Sequence, residues 1–214
     1  MDRLDITYLA THLIKSRLVD AFGDGVQFTV TGEPTTLEDA RRLAKEDPDQ
    51  FEAWALGLVG ARFDAKKKGA DGGIDGRLLF HEKPGGKTRQ VVISVKGGKT
   101  GVGHLRDLRG VLDREHAEIG VLITLQQPTR PMRQEAGEAG VYRSGSEGVG
   151  TWGDHPRLQI LTVEQLLDGH RIDMPPLSGN LTFKRPPKAQ RKRSISEPLF
   201  RNLPSSAEPS EIFR

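Results

Sequence analysis

GADGGIDGRLLF, residues 69–80, and QVVISVKGG, residues 90–98, are the two segments that decide the fold of this chain. Each contains a short run of apolar residues that is bounded by glycines or polar residues, and the loop EKPGGK, 82–87, separates them. This pattern predicts two strands joined in a hairpin. Asp75 stands early in the first strand and Lys96 ends the second, so paired strands can bring an acid and an amine together.

Helical and strand patterns flank the hairpin on both sides. Helices are predicted at 5–22, 37–46, 48–60, 104–115, 131–140 and 163–169, and strands at 26–32, 74–81, 88–96, 118–125 and 157–163. The strand, crossover helix and strand between residues 90 and 124 predict a parallel pair. The class is α/β (α+β), with a mixed central β-sheet flanked by helices. A loop is predicted at 144–154.

Composition limits the function classes. The 214 residues contain no cysteine, which excludes disulfides and thiolate metal sites, and no apolar run is long enough to span a membrane. We expect a cytoplasmic protein with no membrane partner. Basic charge is concentrated at the C-terminus, where residues 184–214 hold eight basic and three acidic residues against 24 and 26 in the rest. This Pro- and Ser-rich tail predicts disorder, and its basic cluster at 191–193 either contacts phosphates or only improves solubility.

The acid and the lysine suit phosphodiester hydrolysis. That reaction needs an activated water and neutralisation of the phosphate, which a hard divalent cation on carboxylate oxygens supplies. A lysine beside the cation can orient or deprotonate the water. Strand periodicity places Ser94 and Lys96 on the same side of the strand, and the glycines before Asp75 leave room for a phosphate. The alternative is that Asp75 and Lys96 are ordinary solvated strand ends.

Basic residues near these segments predict contacts with a nucleic-acid backbone. The run Lys66, Lys67 and Lys68 directly precedes the glycine-rich turn. Three further residues extend the same face in sequence: Lys99, His104 and Arg106. Each has an ordinary alternative, because a lysine run in a loop is commonly just exposed and a histidine at a helix start is commonly a polar end residue.

GADGGIDG, VVISVK and the following GVLDREHAEIGVLIT resemble the Mrr-like branch of the PD-(D/E)xK restriction-endonuclease-like superfamily. The resemblance implies a nuclease dependent on Mg²⁺ or Mn²⁺ that acts on double-stranded DNA. It implies that Asp75 and Glu52 bind the metal together with the carbonyl of Val95, and that Lys96 is catalytic. Ser94 stands where that family usually has Glu or Gln, which weakens metal binding and leaves a hydroxyl to hydrogen-bond in place of a carboxylate.

Residues 5–176 are also similar to the C-terminal region of bacterial site-specific DNA methyltransferases that carry a restriction-endonuclease-like segment. This implies an N-terminal helical segment at 1–46 that resembles the piece trailing a methylase, and an endonuclease-like domain at 47–176. The similarity also implies a methyltransferase domain or subunit as a partner. The composition adds a third part, the basic disordered tail at 177–214. The chain has no D/N-P-P-Y/W/F motif, so we do not expect methyl transfer by this chain alone.

Three hypotheses follow from the sequence. The first is a Mg²⁺-dependent nuclease-like domain of a restriction–modification system, whose catalysis is weakened because Ser94 replaces the usual acid. A homodimer is compatible with this hypothesis. The second is a non-catalytic DNA-binding part or partner of a methyltransferase. The third is an α/β interaction domain without a nucleic-acid role.

Overall fold

Three helices come before the sheet in chain order: α1 Tyr8–Phe22, α2 Leu37–Glu46 and α3 Pro48–Leu58. The protein is represented by a computed structural model, which describes residues 7–23, 27, 30–63, 73–82, 86–146 and 150–176. A cap begins α3, since the Asp47 side chain accepts a hydrogen bond from the Gln50 amide ahead of the first-turn proline. Thr36 caps α2 in the same way, because its hydroxyl accepts from the Asp39 amide.

Within the described ranges, seven strands form two sheets. They are β1 Arg62–Phe63, β2 Gly76–Phe80, β3 Arg89–Lys96, β4 Ile119–Thr124, β5 Val141–Ser146, β6 Gly150–Pro156 and β7 Leu158–Thr162. The five-stranded sheet has the order β1-β2-β3-β4-β7, with antiparallel pairs as far as β3 and parallel pairs from β3 to β7. The predicted hairpin and the predicted parallel pair are both present.

Helices cover both faces of this sheet. The remaining ones are α4 Val102–Glu115, α5 Arg130–Glu138 and α6 Val163–Leu167. On one face, α3 packs its buried Phe51 and Trp54 against the sheet with α2 and α6 beside it. On the other, α4 and α5 contribute Leu105, Leu108 and Met132 to a second core. A mixed sheet between two helical layers confirms the predicted fold class.

Two sequence predictions differ from the structure. The segment 144–154, predicted as a loop, lies mostly in a separate antiparallel hairpin of β5 and β6, with a register irregularity between Ser144 and Gly145. The glycines of this segment interrupt the alternation of apolar and polar residues that indicates a strand. The strand predicted at 26–32 is not found in its described residues, 27 and 30–32.

The N-terminal helices pack onto the rest of the fold. The α1 helix contacts α3, where the Tyr8 amide donates to the Gln50 side chain, and α2 contacts α3 and α6. The division at residues 46 and 176 stays a prediction. None of the helices among the described residues is long and apolar enough to cross a membrane.

Candidate functional site

Asp75 lies one residue before β2 and extends the pairing of β2 with β3. Its amide donates to the Ile93 carbonyl at 2.9 Å, and its Oδ2 accepts from the Val95 amide at 2.6 Å. The side-chain oxygen of Asp75 thus accepts a hydrogen bond from a β3 amide that lies beyond the first residue of β2, Gly76. The position is just outside the strand in which the sequence placed it, because β2 begins at Gly76.

Ser94 and Lys96 point to the same carboxylate oxygen. The Ser94 hydroxyl donates to Asp75 Oδ2 at 3.2 Å, and the Lys96 ammonium lies 3.4 Å from that oxygen. The side chain of Asp75 is 17% exposed, and Ser94 is buried. The structure therefore brings together the acid and the amine that the sequence predicts to converge, and one oxygen receives three donors. The catalytic and metal-binding roles of these residues stay predictions.

Glu52 lies on α3 near the same carboxylate, where its charged form is disfavoured. Burial and the neighbouring negative charge of Asp75 raise the pKa of Glu52 to about 7, although Lys96 opposes the shift. Near neutral pH this carboxyl group is therefore protonated in a large fraction of molecules.

An open groove of about 900 Å³ adjoins Glu52 and Lys96. It lies where the parallel strands β3 and β4 end, the position where open α/β sheets commonly bind ligands. The groove is bordered by α2, the start of α3, the residues that follow β3 and β4, and Glu164 of α6. Gly97 makes the close approach of α2 possible, since a Cβ there would lie 3.0 Å from Ala44 Cβ.

The predicted DNA-contacting residues separate into three groups. Lys66, Lys67 and Lys68 lie outside the described residues. Lys99 is exposed in the segment between β3 and α4. The remaining two have contacts within the protein: His104 Nδ1 accepts from the Gly101 amide at the start of α4, and Arg106 binds Glu135 of α5 at 2.9 Å. Their predicted DNA contacts remain predictions.

The site fits a Mg²⁺ ion poorly. Position 94 offers a neutral hydroxyl, Asp75 is already bonded to an ammonium, and Glu52 is partly protonated near neutral pH. Mg²⁺ requires hard, preferably anionic, oxygen ligands in near-octahedral geometry. In the described parts of the chain, no three His, Asp or Glu side chains are grouped so that they could hold a metal ion. Binding of Mg²⁺ or Mn²⁺ therefore stays a prediction of the sequence.

Comparison with known proteins gives one match. The family model described as NACHT-associated inactive Restriction Endonuclease 1 matches residues 48–168, more than half of the chain. The chain belongs to this family. The chain itself matches neither a curated protein nor a solved structure. The restriction-endonuclease-like domain predicted from the sequence is thereby confirmed.

The groove residues on α2 were not predicted from the sequence. Arg41 and Lys45 line the groove and lie outside residues 48–168. Their spacing of four places both cations on one face of a helix, which was visible in the sequence. The sequence contained no signal that this face borders the strand ends, because that depends on how α2 packs.

Proposed function

We propose that this chain binds double-stranded DNA through a restriction-endonuclease-like domain that does not cleave it. The observation that carries the proposal is the three-donor arrangement on Asp75 Oδ2, formed where Ser94 replaces the expected acid. A carboxylate oxygen engaged in this way, next to a neutral hydroxyl, is a weak ligand for a catalytic cation. The word "inactive" in the description of the family agrees with this interpretation.

Binding to DNA is supported by the distribution of positive charge. Exposed Lys99 follows the strand that ends in Lys96, and the sequence adds the lysines at 66–68 and the basic cluster at 191–193. Phosphate contacts of this kind provide affinity that does not depend on sequence and weakens as salt rises. The same residues would position the duplex without reading its bases.

A residual Mg²⁺-dependent nuclease is the second candidate. It is favoured by the separation of 3.4 Å between the Lys96 ammonium and the Asp75 carboxylate, which is the pairing of groups that hydrolysis needs. In this case Glu52 and the Val95 carbonyl would complete the ligand set, as the sequence predicts.

Three measurements test the proposal: anisotropy titration of a labelled blunt duplex across a salt series, nicking of supercoiled plasmid with Mg²⁺ or Mn²⁺, and thermal unfolding with and without Mn²⁺. We expect binding with a steep salt dependence and no nicking by the wild type. Ser94→Glu supplies the missing carboxylate, and we expect it to gain stabilisation by Mn²⁺ in thermal unfolding, whereas the matched Ser94→Ala gains none. Nicking by the wild type that Lys96→Ala abolishes would establish the nuclease instead, and absence of duplex binding at low salt would refute both.

The biological setting is a further part of the proposal. The sequence predicts a restriction–modification system, an Mrr-like origin and a methyltransferase partner, whereas the description of the family names an association with NACHT. The neighbouring reading frame distinguishes the two associations, since it would encode either a methylase motif or a NACHT-containing protein. Sedimentation velocity tests the predicted homodimer.

A further inference from the structure

The groove beside Lys96 has the size of a small-ligand site. Its volume of about 900 Å³ falls inside the range of roughly 300–1,000 Å³ that is usual for such sites. It also lies at the ends of parallel strands, held between α2 and the segment after β4. A groove of this size has room for one or two nucleotide units and not for the width of a duplex.

One wall of the groove is cationic. Arg41 and Lys45 are exposed on successive turns of α2, and neither pairs with an acid in the part of the chain that the structure describes. Arg42 lies between them in sequence but does not line the groove, and it pairs with Asp39 at 2.7 Å. Two unpaired cations one turn apart match the charge of a phosphate.

The rest of the groove combines apolar surface with polar side chains, among them the amides of Gln126 and Gln127. Leu37 and Leu125 provide apolar contact surface. Gln126 is exposed beside them, and among the described residues its side-chain amide has no hydrogen-bond partner. Glu164 lies at the same wall but accepts a hydrogen bond from Gln127. An amide offers both a donor and an acceptor, which is what the edge of a base requires.

We propose that the groove binds an unpaired nucleotide of a DNA strand, as found at an overhang or a gap. Arg41 and Lys45 hold the phosphate, Leu37 and Leu125 contact the face of the base, and Gln126 hydrogen-bonds its edge. A base inside a duplex exposes only its edges in the grooves, whereas an unpaired base exposes its faces for apolar contact. The inference rests on the proposed function, because it requires that the chain binds DNA.

Positive charge exceeds negative charge among the side chains of the groove. Three cationic and two acidic side chains line it. This excess favours the phosphate of the proposed nucleotide.

The test compares a blunt duplex with the same duplex carrying a single-stranded overhang, using the full chain and anisotropy. We expect the wild type to bind the overhang DNA about tenfold more tightly. In the double variant Arg41→Ala/Lys45→Ala the ratio of the two affinities falls toward one, and the log–log salt slope for overhang DNA decreases by about 2. Arg42→Ala is the matched control and keeps the wild-type ratio. Circular dichroism verifies that each variant is folded.

Three results would overturn the inference while leaving the proposed function intact. The first is equal binding of blunt and overhang DNA by the wild type. The second is competition by a free nucleoside monophosphate as strong as competition by an unlabelled strand, which would make a small molecule the occupant. The third is an RNA overhang that binds as tightly as the DNA overhang, which would show that the groove does not select DNA. Failure to bind either duplex would instead refute the proposed function.

Discussion

At the scale of single residues, Asp75 and Glu52 are two carboxyl groups with opposite surroundings. Asp75 Oδ2 accepts hydrogen bonds from the Val95 amide and the Ser94 hydroxyl, and the Lys96 ammonium lies 3.4 Å away. Glu52 is half-buried near Asp75 and, among the described residues, has no hydrogen-bonded arrangement of this kind, and burial raises its pKa to about 7. The charged form of Glu52 is therefore disfavoured in the same small region where Asp75 meets three donors.

The raised pKa of Glu52 predicts a pH-dependent stability. Between pH 4.5, the ordinary pKa, and about pH 7, the folded state keeps a proton on Glu52 that the unfolded chain has released. The free energy of unfolding therefore falls as pH rises through this range, and the loss of stability is complete above about pH 7. We expect Glu52→Gln to raise the free energy of unfolding by about 2 kcal/mol near pH 8 and by little near pH 4. Urea unfolding at both pH values measures this difference.

The control for Glu52→Gln is Glu38→Gln, which removes an exposed carboxylate from the first turn of α2. If both variants showed the same change of stability with pH, burial of Glu52 beside Asp75 would not be its cause.

At the scale of secondary-structure elements, α4 packs closely on β4 at Gly120. A Cβ built on Gly120 of β4 would lie 3.2 Å from Leu108 Cγ of α4 and 3.0 Å from Leu158 Cδ2 of β7. The glycine therefore permits the helix to lie directly on the sheet, which positions the segment between Lys96 and α4.

We expect Gly120→Ala to lower the free energy of unfolding by about 1–3 kcal/mol, because the added methyl group overpacks this contact. The matched control is Gly110→Ala within α4, where a Cβ would meet no atom within 4 Å. That change replaces a helical glycine without crowding and should raise stability by about 0.5–1 kcal/mol. Chemical denaturation of both variants checks the opposite signs, and a stabilised Gly120→Ala would contradict the packing argument.

At the scale of the whole molecule, a chain of polar contacts ties the small sheet to the C-terminal described segment. Ser144 Oγ lies 3.3 Å from His155 Nε2, and His155 Nδ1 lies 2.7 Å from Asp173 Oδ1. Gln159 also exchanges two hydrogen bonds with the backbone of Asp173. The order Ser, His, Asp is that of a hydrolytic triad, but Ser144 is only 2% exposed and also donates to the Gly153 carbonyl. A substrate has no access to this serine, so the contacts hold elements together.

We expect Asp173→Ala to cost about 1 kcal/mol of stability, because the buried His155 loses its partner. Hydrogen exchange should increase in β5 and β6 more than in β3 and β4. Asp173→Asn keeps an acceptor for His155 and should lose less stability than Asp173→Ala. The control is Asp168→Ala, which removes an exposed acid five residues earlier in the chain. If hydrogen exchange in β5 and β6 of Asp173→Ala were unchanged, the contact between His155 and Asp173 would not stabilise the small sheet.

The hairpin, the crossover to β4 and the convergence of Asp75 with Lys96 could all be predicted from the amino-acid order. These follow from local information, because strand periodicity, a short loop and a strand–helix–strand unit leave few arrangements of these residues. The replacement of the expected acid by Ser94 is likewise visible in the amino-acid order alone.

Three other features could not be predicted without the folded structure: the position of Arg41 and Lys45 at the groove, the raised pKa of Glu52 and the pairing of β5 with β6. Each of these depends on groups far apart in the chain: α2 packing over strand ends, burial of one carboxyl group beside another, and glycine-rich strands that find a partner. Periodicity records which face of an element is apolar, but not which element that face will meet, and long-range packing alone sets the distances and the local dielectric.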